Sequence, residues 1–241
     1  MLNIFITGTG SNVGKTFITA GIAATMQSLG YVTCVYKPVQ TGATKKNGFG
    51  QSRDLLFVKN IDPYVEVHST YILKEHAPPV IAAEVEKILI DKNFIKKSYG
   101  LISNDHDCII AEGTGGIMTP IAPDFLVSDM IKFLNLPAVI VVKPDNGMIN
   151  QTLLTINHAE SKGIKVRGVI INNFSQNAAD DAEVKNAFRL IEEYSDTRIL
   201  GIVKSFKNPN KVNPSELITE ILNGIDIESV FDVKIAKLSV E

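Results

Sequence analysis

The stretch GTGSNVGKT, residues 8–16, decides the fold of this chain. Residues 2–6 before it form an apolar run that predicts a buried strand, and residues 17–29 after it predict a helix. In such a unit, backbone N–H groups of the glycine-rich turn and the helix N-terminus face phosphate oxygens. Lys15 is then predicted to reach the β- and γ-phosphates of a nucleoside triphosphate, and the Thr16 hydroxyl to ligate Mg²⁺.

The spacing of the glycines departs from the usual G-x-x-x-x-G-K pattern. Gly8 lies one position too early for that pattern and Gly10 one position too late. The alternative interpretation is a chance Gly-Lys-Thr in a surface turn. We favour a phosphate-binding loop because an apolar strand precedes the turn and a helix follows it.

Composition places the chain among globular proteins. Its 241 residues carry a net charge of −2 and include no long basic run, which argues against nucleic acid as a partner. No apolar run reaches the roughly 18 residues of a membrane span, and Met1 leads directly into a strand, so we expect no membrane partner and no signal peptide. Cys34 and Cys108 are predicted to be buried free thiols, and the histidines lack ligand-type spacing. These features predict a cytoplasmic location.

Apolar strands alternate with helical patterns along the chain. This order predicts an α/β fold of three layers, with a mostly parallel central sheet and helices on both faces, of the P-loop NTPase type. The predicted strands are residues 2–6, 31–36, 71–73, 107–112, 137–142, 166–171 and 198–203. Residues 43–53 are predicted to be a mobile loop. Residues 1–241 are predicted to form a single domain, with 225–241 a C-terminal strand or appendage of unclear role.

Lys37 and Thr41 follow the second predicted strand, residues 31–36. Pro38 and Gly42 are expected to stop regular structure there, which places both side chains at the carboxyl edge of the sheet. Ligands of open α/β sheets bind at this edge. Lys37 is therefore a candidate to stabilise a transferred phosphoryl group, the alternative being a solvated surface lysine.

Two carboxylates are candidates for a metal site beside Thr16. Glu112 ends the apolar strand 107–112 and is followed at once by Gly-Thr-Gly-Gly, and Asp54 begins a short predicted helix. Mg²⁺ prefers hard oxygen ligands in phosphoryl-transfer sites. The alternative for Glu112 is a helix N-cap or an acidic residue in a turn.

These segments together resemble the dethiobiotin synthetases of biotin biosynthesis. The resemblance covers roughly residues 1–205 and rests on GTGSNVGKT (8–16), YKPVQTG (36–42), Asp54, EGTGG (112–116) and GMIN (147–150), in that order. The lengthened phosphate-binding loop is itself typical of that family.

The resemblance implies an ATP-dependent cyclo-ligase. Its substrates would be 7,8-diaminononanoate, CO₂ and ATP, and its cofactor Mg²⁺. One amine would capture CO₂ as a carbamate, whose oxygen attacks the γ-phosphate to give a carbamic–phosphoric mixed anhydride. The second amine would then close the cyclic urea, which gives dethiobiotin, ADP and phosphate. The resemblance also implies a homodimer whose substrate site is completed across the interface.

The resemblance also assigns roles to individual residues. The catalytic residues would be Lys37, Lys15, Thr41 and Ser11, and the metal ligands Thr16, Asp54 and Glu112. The ATP-binding residues would be Gly8, Asn12, Val13, Gly14, Lys15, Thr16, Phe17 and Asn172. The substrate-binding residues would be Lys37, Thr41, Gly147, Met148 and Asn150, the last three at a helix start that suits a carboxylate.

Two positions depart from the family pattern. Asn12 stands where many members have an acidic residue, and residues 201–205 lack the proline that is common at the adenine pocket. Both departures leave the choice of nucleotide open.

Three other classes of P-loop protein are alternatives. A cobyric-acid-type amidotransferase would need a glutaminase domain, and neither cysteine lies in a nucleophile-elbow context. A partitioning or maturation ATPase usually has a second lysine early in the loop, where this chain has Gly-Thr-Gly. A small-molecule kinase would need an arginine-rich lid, and the four arginines of this chain are widely spread: Arg53, Arg167, Arg189 and Arg198.

Overall fold

A computed structural model describes residues 1–46, 49–175, 178 and 181–235. Its strands are β1 (Leu2–Gly8), β2 (Thr33–Gln40), β3 (Thr44–Lys46), β4 (Phe49–Gln51), β5 (Glu66–Ile72), β6 (Cys108–Glu112), β7 (Pro120–Ala122), β8 (Phe125–Leu126), β9 (Ala138–Val142), β10 (Val166–Phe174) and β11 (Ile199–Lys204). Its helices are α1 (Lys15–Ser28), α2 (Arg53–Ile61), α3 (Pro79–Glu86), α4 (Lys92–Ser103), α5 (Val127–Leu134), α6 (Met148–Ser161), α7 (Ala182–Ser195), α8 (Pro214–Gly224) and α9 (Ile227–Phe231).

Seven strands form one sheet in the order β11-β10-β9-β1-β6-β2-β5, and every neighbouring pair is parallel. The α/β class and the existence of all seven predicted strands are confirmed. The run 71–73 marks only the end of β5, which begins at Glu66. Because the strands share one direction, the carboxyl ends of β1, β2 and β6 meet at one edge of the sheet, and this edge holds the phosphate-binding loop.

Helices cover both faces of the sheet. Alternate side chains of β1 point to opposite faces: Ile4 and Ile6 join the core under α1, α2, α8 and α9, and Phe5 joins the core under α3, α4 and α5. A further cluster packs α6 and α7 against β9 and β10. This burial on both faces explains why the strands read as continuous apolar runs rather than as alternating patterns.

The predicted end of the second strand was wrong. β2 continues through Pro38 to Gln40, so Lys37 lies inside the strand and is only 3% exposed. β6 pairs with β2 as far as Tyr36, while β5 pairs with it as far as Gln40. Pro38 therefore lies beyond the part of β2 that has a neighbour on each side, where a proline is tolerated.

The segment 43–53 is not a structureless loop over its described residues. β3 and β4 pair antiparallel, and Ser52 then caps α2 by accepting a hydrogen bond from the Leu55 N–H at 3.1 Å. The prediction of a loop was wrong for these residues, its mobility stays a prediction, and residues 47–48 lie outside the described part of the chain. A second antiparallel pair, β7 and β8, was not predicted at all.

Residues 225–235 pack as part of the main core, which corrects the prediction of an appendage for this part of the tail. Ile227, Val230 and Phe231 of α9 join the same apolar cluster as α1. Asp226 caps α9 by accepting a hydrogen bond from the Ser229 N–H at 3.0 Å. Residues 236–241 lie outside the described chain. In the described ranges, no helix is both long enough and apolar enough to cross a membrane.

Shortening Phe231 to alanine is expected to lower the free energy of unfolding by about 3 kcal/mol, because the ring is 95% buried and its loss leaves a cavity. Urea unfolding measures the change. Val233→Ala is the matched control, since Val233 is 40% exposed. Equal effects from the two substitutions would show that α9 does not pack on the core.

Candidate active site

The phosphate-binding loop closes on itself and on β10. The Lys15 Nζ donates to the Gly10 carbonyl at 2.7 Å, so the side chain folds back over the turn. Gly14 has a φ of +91°, and the Asn172 amide beside it donates to the Val13 carbonyl at 3.0 Å. Burial lowers the pKa of Lys15 to about 8. The loop is therefore preorganised around a buried lysine that forms no ion pair with any described residue.

Four predicted site residues converge next to this loop. The Lys37 Nζ lies 2.5 Å from Asp54 Oδ2 and 2.6 Å from Glu112 Oε1. The Thr16 hydroxyl donates to the same Glu112 Oε1 at 2.8 Å. Four elements therefore bring these side chains together: α1 supplies Thr16, β2 supplies Lys37, β6 supplies Glu112, and the first turn of α2 supplies Asp54.

Electrostatics keep Lys37 charged in this cluster. Burial alone disfavours the ammonium, but Glu112 and Asp54 outweigh it and raise the pKa of Lys37 above its ordinary value. Among the described residues, the second oxygen of Glu112, Oε2, is buried and has no hydrogen-bond partner. A buried carboxylate oxygen without a partner is costly unless a ligand satisfies it.

This donor set fits Mg²⁺. The Thr16 hydroxyl and the carboxylates of Asp54 and Glu112 are hard oxygen donors, and the orphaned Glu112 Oε2 is an available ligand atom. Within the described ranges, no group of three or more His, Cys, Asp or Glu side chains could hold a metal ion. The two carboxylates and one hydroxyl would thus share the ion with phosphate oxygens and water, as is usual for Mg²⁺.

The second glycine-rich segment, residues 113–116, lies against the first. A Cβ at Gly116 would come within 3.4 Å of Gly10 Cα and within 3.5 Å of the Gly8 carbonyl oxygen. The Thr114 hydroxyl donates to the Val39 carbonyl at 2.7 Å and so joins this segment to β2. These contacts hold the carboxyl ends of β1, β2 and β6 together around Lys37.

A cavity of about 230 Å³ lies beside the phosphate-binding loop, and several of the predicted ATP-binding residues line it. Its lining includes Asn12, Val13, Gly14, Phe17 and Asn172. The Asn172 amide nitrogen is hydrogen-bonded to the loop. The Oδ1 of the same side chain therefore remains available to accept a hydrogen bond from a ligand. Residues beyond β11 complete the wall with Phe206 and Pro209, so a proline lines the cavity although residues 201–205 have none.

The segment 147–150 begins α6, as predicted. Gly147 is the N-cap with a φ of +85°, and its N–H donates to Glu183 Oε1 at 3.0 Å. The Met148 N–H donates to the Asp145 carbonyl at 3.0 Å and its side chain is fully buried, whereas Asn150 is exposed. A carboxylate already lies at this helix start, which shows that the position accepts one.

Three further predicted site residues, Ser11, Asn12 and Thr41, lie in the turns that follow β1 and β2. Ser11 is exposed in the turn, and Thr41 is half-buried directly after β2. Asn12 is exposed and has a φ of +60°, a conformation that asparagine adopts more readily than most residues. None of these three belongs to the Lys37 cluster described above.

The predictions on the thiols and on the histidines have different outcomes. Cys34 and Cys108 are free and buried, as predicted, and burial raises the pKa of both thiols, to about 12 for Cys34. The histidines lack ligand-type spacing in the sequence, yet His68 and His106 both lie within 3.4 Å of Glu66 Oε2. Glu66 and His68 lie on β5 whereas His106 lies between α4 and β6, so sequence separation alone gives no sign of this contact.

Comparison with known proteins decides the family. A family model described as an AAA domain matches residues 2–211. The ATP-dependent dethiobiotin synthetase BioD of Methanocaldococcus jannaschii is 41% identical over 212 residues, which cover 84% of this chain and 94% of that protein. The chain belongs to the dethiobiotin synthetase family. The protein of the same name from Bacillus subtilis (strain 168) is 32% identical and covers 92% of this chain and 96% of its own length.

Solved structures share the fold of this dethiobiotin synthetase family member at low identity. The MinD cell division protein of Aquifex aeolicus has a TM-score of 0.57 at 17% identity and covers 95% of both chains. A ParA family ATPase from Chlorobium tepidum has a TM-score of 0.55 at 13% identity, over 99% of this chain and 96% of its own. At such identities the likeness supports the P-loop NTPase fold and nothing about activity.

Sequence reasoning missed several residues around the site of this synthetase family member. Lys204 and Phe206 line the cavity, and the Phe206 ring lies 5.3 Å from that of Phe17. Lys204 ends β11 and Phe206 follows it, and this position was the available signal, because the carboxyl edge of the sheet gathers ligand-binding residues. The contact of Glu183 with Gly147 joins residues far apart in sequence and had no local signal.

Gly14→Ala is expected to weaken Mg·ATP binding at least about tenfold, since a left-handed backbone costs an L-residue roughly 1–2 kcal/mol. The new Cβ would also lie 1.9 Å from the Asn172 amide nitrogen. Titration calorimetry measures the affinity. Gly10→Ala is the control, because a Cβ at Gly10 meets no atom within 4 Å. Equal affinities of the two variants would contradict the assigned role of Gly14.

Proposed function

We propose that this chain converts 7,8-diaminononanoate, CO₂ and ATP into dethiobiotin, ADP and phosphate. The observation that carries the proposal is the Lys37 ammonium in contact with Asp54 and Glu112 beside Thr16. A phosphate-binding loop with Mg²⁺ serves many reactions. A second buried lysine suits an attacking group that is itself an anion, because positive charge between two anions offsets their repulsion.

The metal belongs to this proposal. Thr16, Asp54 and Glu112 would hold Mg²⁺, which supplies charge neutralisation at the nucleotide phosphates when bound. The support is the convergence of these oxygen donors and the unpartnered Glu112 Oε2.

The residues of the site have distinct tasks in this reaction. Lys15 and the turn N–H groups hold the phosphates, and Lys37 neutralises the carbamate and the transferred phosphoryl group. Ser11 and Thr41 donate hydrogen bonds to the reacting γ-phosphate and carbamate. The carbamate oxygen bonds to the γ-phosphorus as the bond to ADP breaks. The free amine then attacks the carbamoyl carbon, closes the ring and expels phosphate.

The adenine base of ATP and the carboxylate of the diamine substrate bind at separate positions in this proposal. Asn172 Oδ1 is the proposed acceptor for the adenine amino group in the cavity beside Phe17. Gly147, Met148 and Asn150 are proposed to receive the substrate carboxylate at the start of α6. Because Glu183 contacts the Gly147 N–H, the carboxylate would have to replace Glu183 or use the N–H groups next to it.

A homodimer is part of the proposal. Apolar side chains are exposed on two helices, with Ile81 48% and Val85 59% exposed on α3 and Leu154 63% exposed one turn after Asn150 on α6. A second copy that covers Leu154 would lie next to the start of α6 and complete the carboxylate site. Light scattering is expected to give the mass of a dimer, and a fully active monomer would contradict this part of the proposal.

We also infer that the protein is one domain and works in the cytoplasm. The packing of α9 in the same core as α1 supports a single domain over the described residues. Two free buried thiols suit a reducing compartment.

The direct test is an assay of ADP release with bicarbonate, in the presence and absence of the diamine. ADP release that depends on the diamine is expected, together with a cyclic urea product. Hydrolysis of ATP at the same rate without the diamine would instead favour a switch ATPase.

A further inference from the structure

We propose that the Lys37 ammonium and a divalent cation are alternative occupants of the carboxylate pair Asp54 and Glu112. Lys37 would leave this pair when the metal takes it, and only then be available to the reacting anions. This inference rests on the metal site of the proposed function and adds a conformational role for Lys37.

The geometry places the ammonium where it competes for metal ligands. Its Nζ is 2.5 Å from Asp54 Oδ2 and 2.6 Å from Glu112 Oε1, and Thr16 donates to the same Glu112 oxygen. Mg²⁺ binds oxygen at about 2.0–2.1 Å. If Lys37 stayed in place, its Nζ and a dication would share the same two oxygens and lie next to each other in a buried site.

Charge also favours exchange over joint occupancy. Two carboxylates carry two negative charges, of which Lys37 neutralises one, so the cluster with the ammonium retains a net negative charge before Lys15 is counted. A dication neutralises both carboxylates without Lys37. Adding it beside Lys37 and the nearby Lys15 would leave unbalanced positive charge at a site where Lys37 is only 3% exposed, which is costly.

The exchange gives Lys37 a defined destination. Once released, the ammonium turns to solvent when no nucleotide is present, and the bound phosphate and carbamate become its anionic partners when the proposed reaction brings them. Lys37 would therefore reach the reacting groups after the metal is bound, which couples metal loading to the placement of the second lysine.

The test uses Mn²⁺ alone, without nucleotide or diamine, with binding followed by electron paramagnetic resonance on the full chain. Lys37→Met is expected to bind Mn²⁺ at least about tenfold more tightly than the original protein, since the competing cation is gone and two carboxylates lack a partner. Lys15→Met is the matched control, because Lys15 is also buried but donates to the Gly10 carbonyl. Its gain should be clearly smaller. Unchanged or weaker Mn²⁺ binding by Lys37→Met would overturn the proposal.

A second measurement needs no variant and covers the case in which Lys37→Met does not fold. Lysine acylation is mapped by mass spectrometry on the original protein with increasing Mg²⁺ and no nucleotide. Labelling of Lys37 is expected to rise as Mg²⁺ saturates the site, while that of the exposed Lys97 stays constant. Constant labelling of Lys37 at saturating Mg²⁺ would overturn the proposal. Neither experiment involves the diamine, so failure here is separate from failure of the proposed reaction.

Discussion

Lys37→Ala is expected to lower turnover of the diamine by on the order of 10²-fold or more at saturating Mg·ATP. The reaction joins a carbamate anion to a phosphoryl group, and Lys37 is the buried cation that neutralises both. Its loss therefore raises the barrier of phosphoryl transfer more than it weakens nucleotide binding. The measurement is kcat and KM for the diamine by steady-state kinetics.

The control for this substitution is Lys97→Ala, because Lys97 is exposed on α4 and is not one of the residues of the Lys37 cluster. Saturating Mg²⁺ is needed in the comparison, since removal of Lys37 leaves Asp54 and the buried Glu112 without their cation. Near-normal kcat for Lys37→Ala would remove this lysine from the mechanism.

Glu112→Gln is expected to shift the Mg²⁺ dependence of turnover to concentrations at least about tenfold higher, because a neutral amide replaces a charged ligand. Glu112 Oε1 also accepts hydrogen bonds from Thr16 and Lys37, so the substitution disturbs the whole cluster while its shape is kept. The measurement is a Mg²⁺ titration of initial rates at fixed ATP.

Glu193→Gln is the control, because Glu193 is half-exposed on α7 and pairs there with Arg189. A titration curve of Glu112→Gln that coincides with that of the control would show that Glu112 is structural and does not bind the metal.

Much of the fold follows from local sequence pattern. Strands buried on both faces produce runs of Val and Ile such as 138–142, and these are recognisable without any knowledge of their neighbours. The phosphate-binding loop was recognisable because a strand, glycines, Lys15 and a helix are consecutive in the chain. Glu112 was placed correctly for the same reason, at the end of an apolar strand.

Features that depend on pairing between distant residues were not predictable in this way. Whether Pro38 ends β2 depends on how far β5 and β6 extend beside it, so Lys37 was placed at an edge instead of inside the strand. The burial of α9 depends on where α1 and β1 lie in the folded chain, because the apolar side chains of all three elements pack in one cluster. The ion pairs of Lys37 likewise join β2, α2 and β6, and no spacing in the sequence encodes those distances.

The central claim is that an anionic carbamate attacks the γ-phosphate at Lys37 and that ring closure follows. The most direct measurement supplies ¹³C-bicarbonate, ATP and 7,8-diaminononanoate and identifies the product by mass spectrometry and carbon NMR. We expect ¹³C in the urea carbonyl of dethiobiotin, with one ADP and one phosphate released for each ring formed. Release of ADP without a labelled urea, at a rate independent of the diamine, would contradict the account.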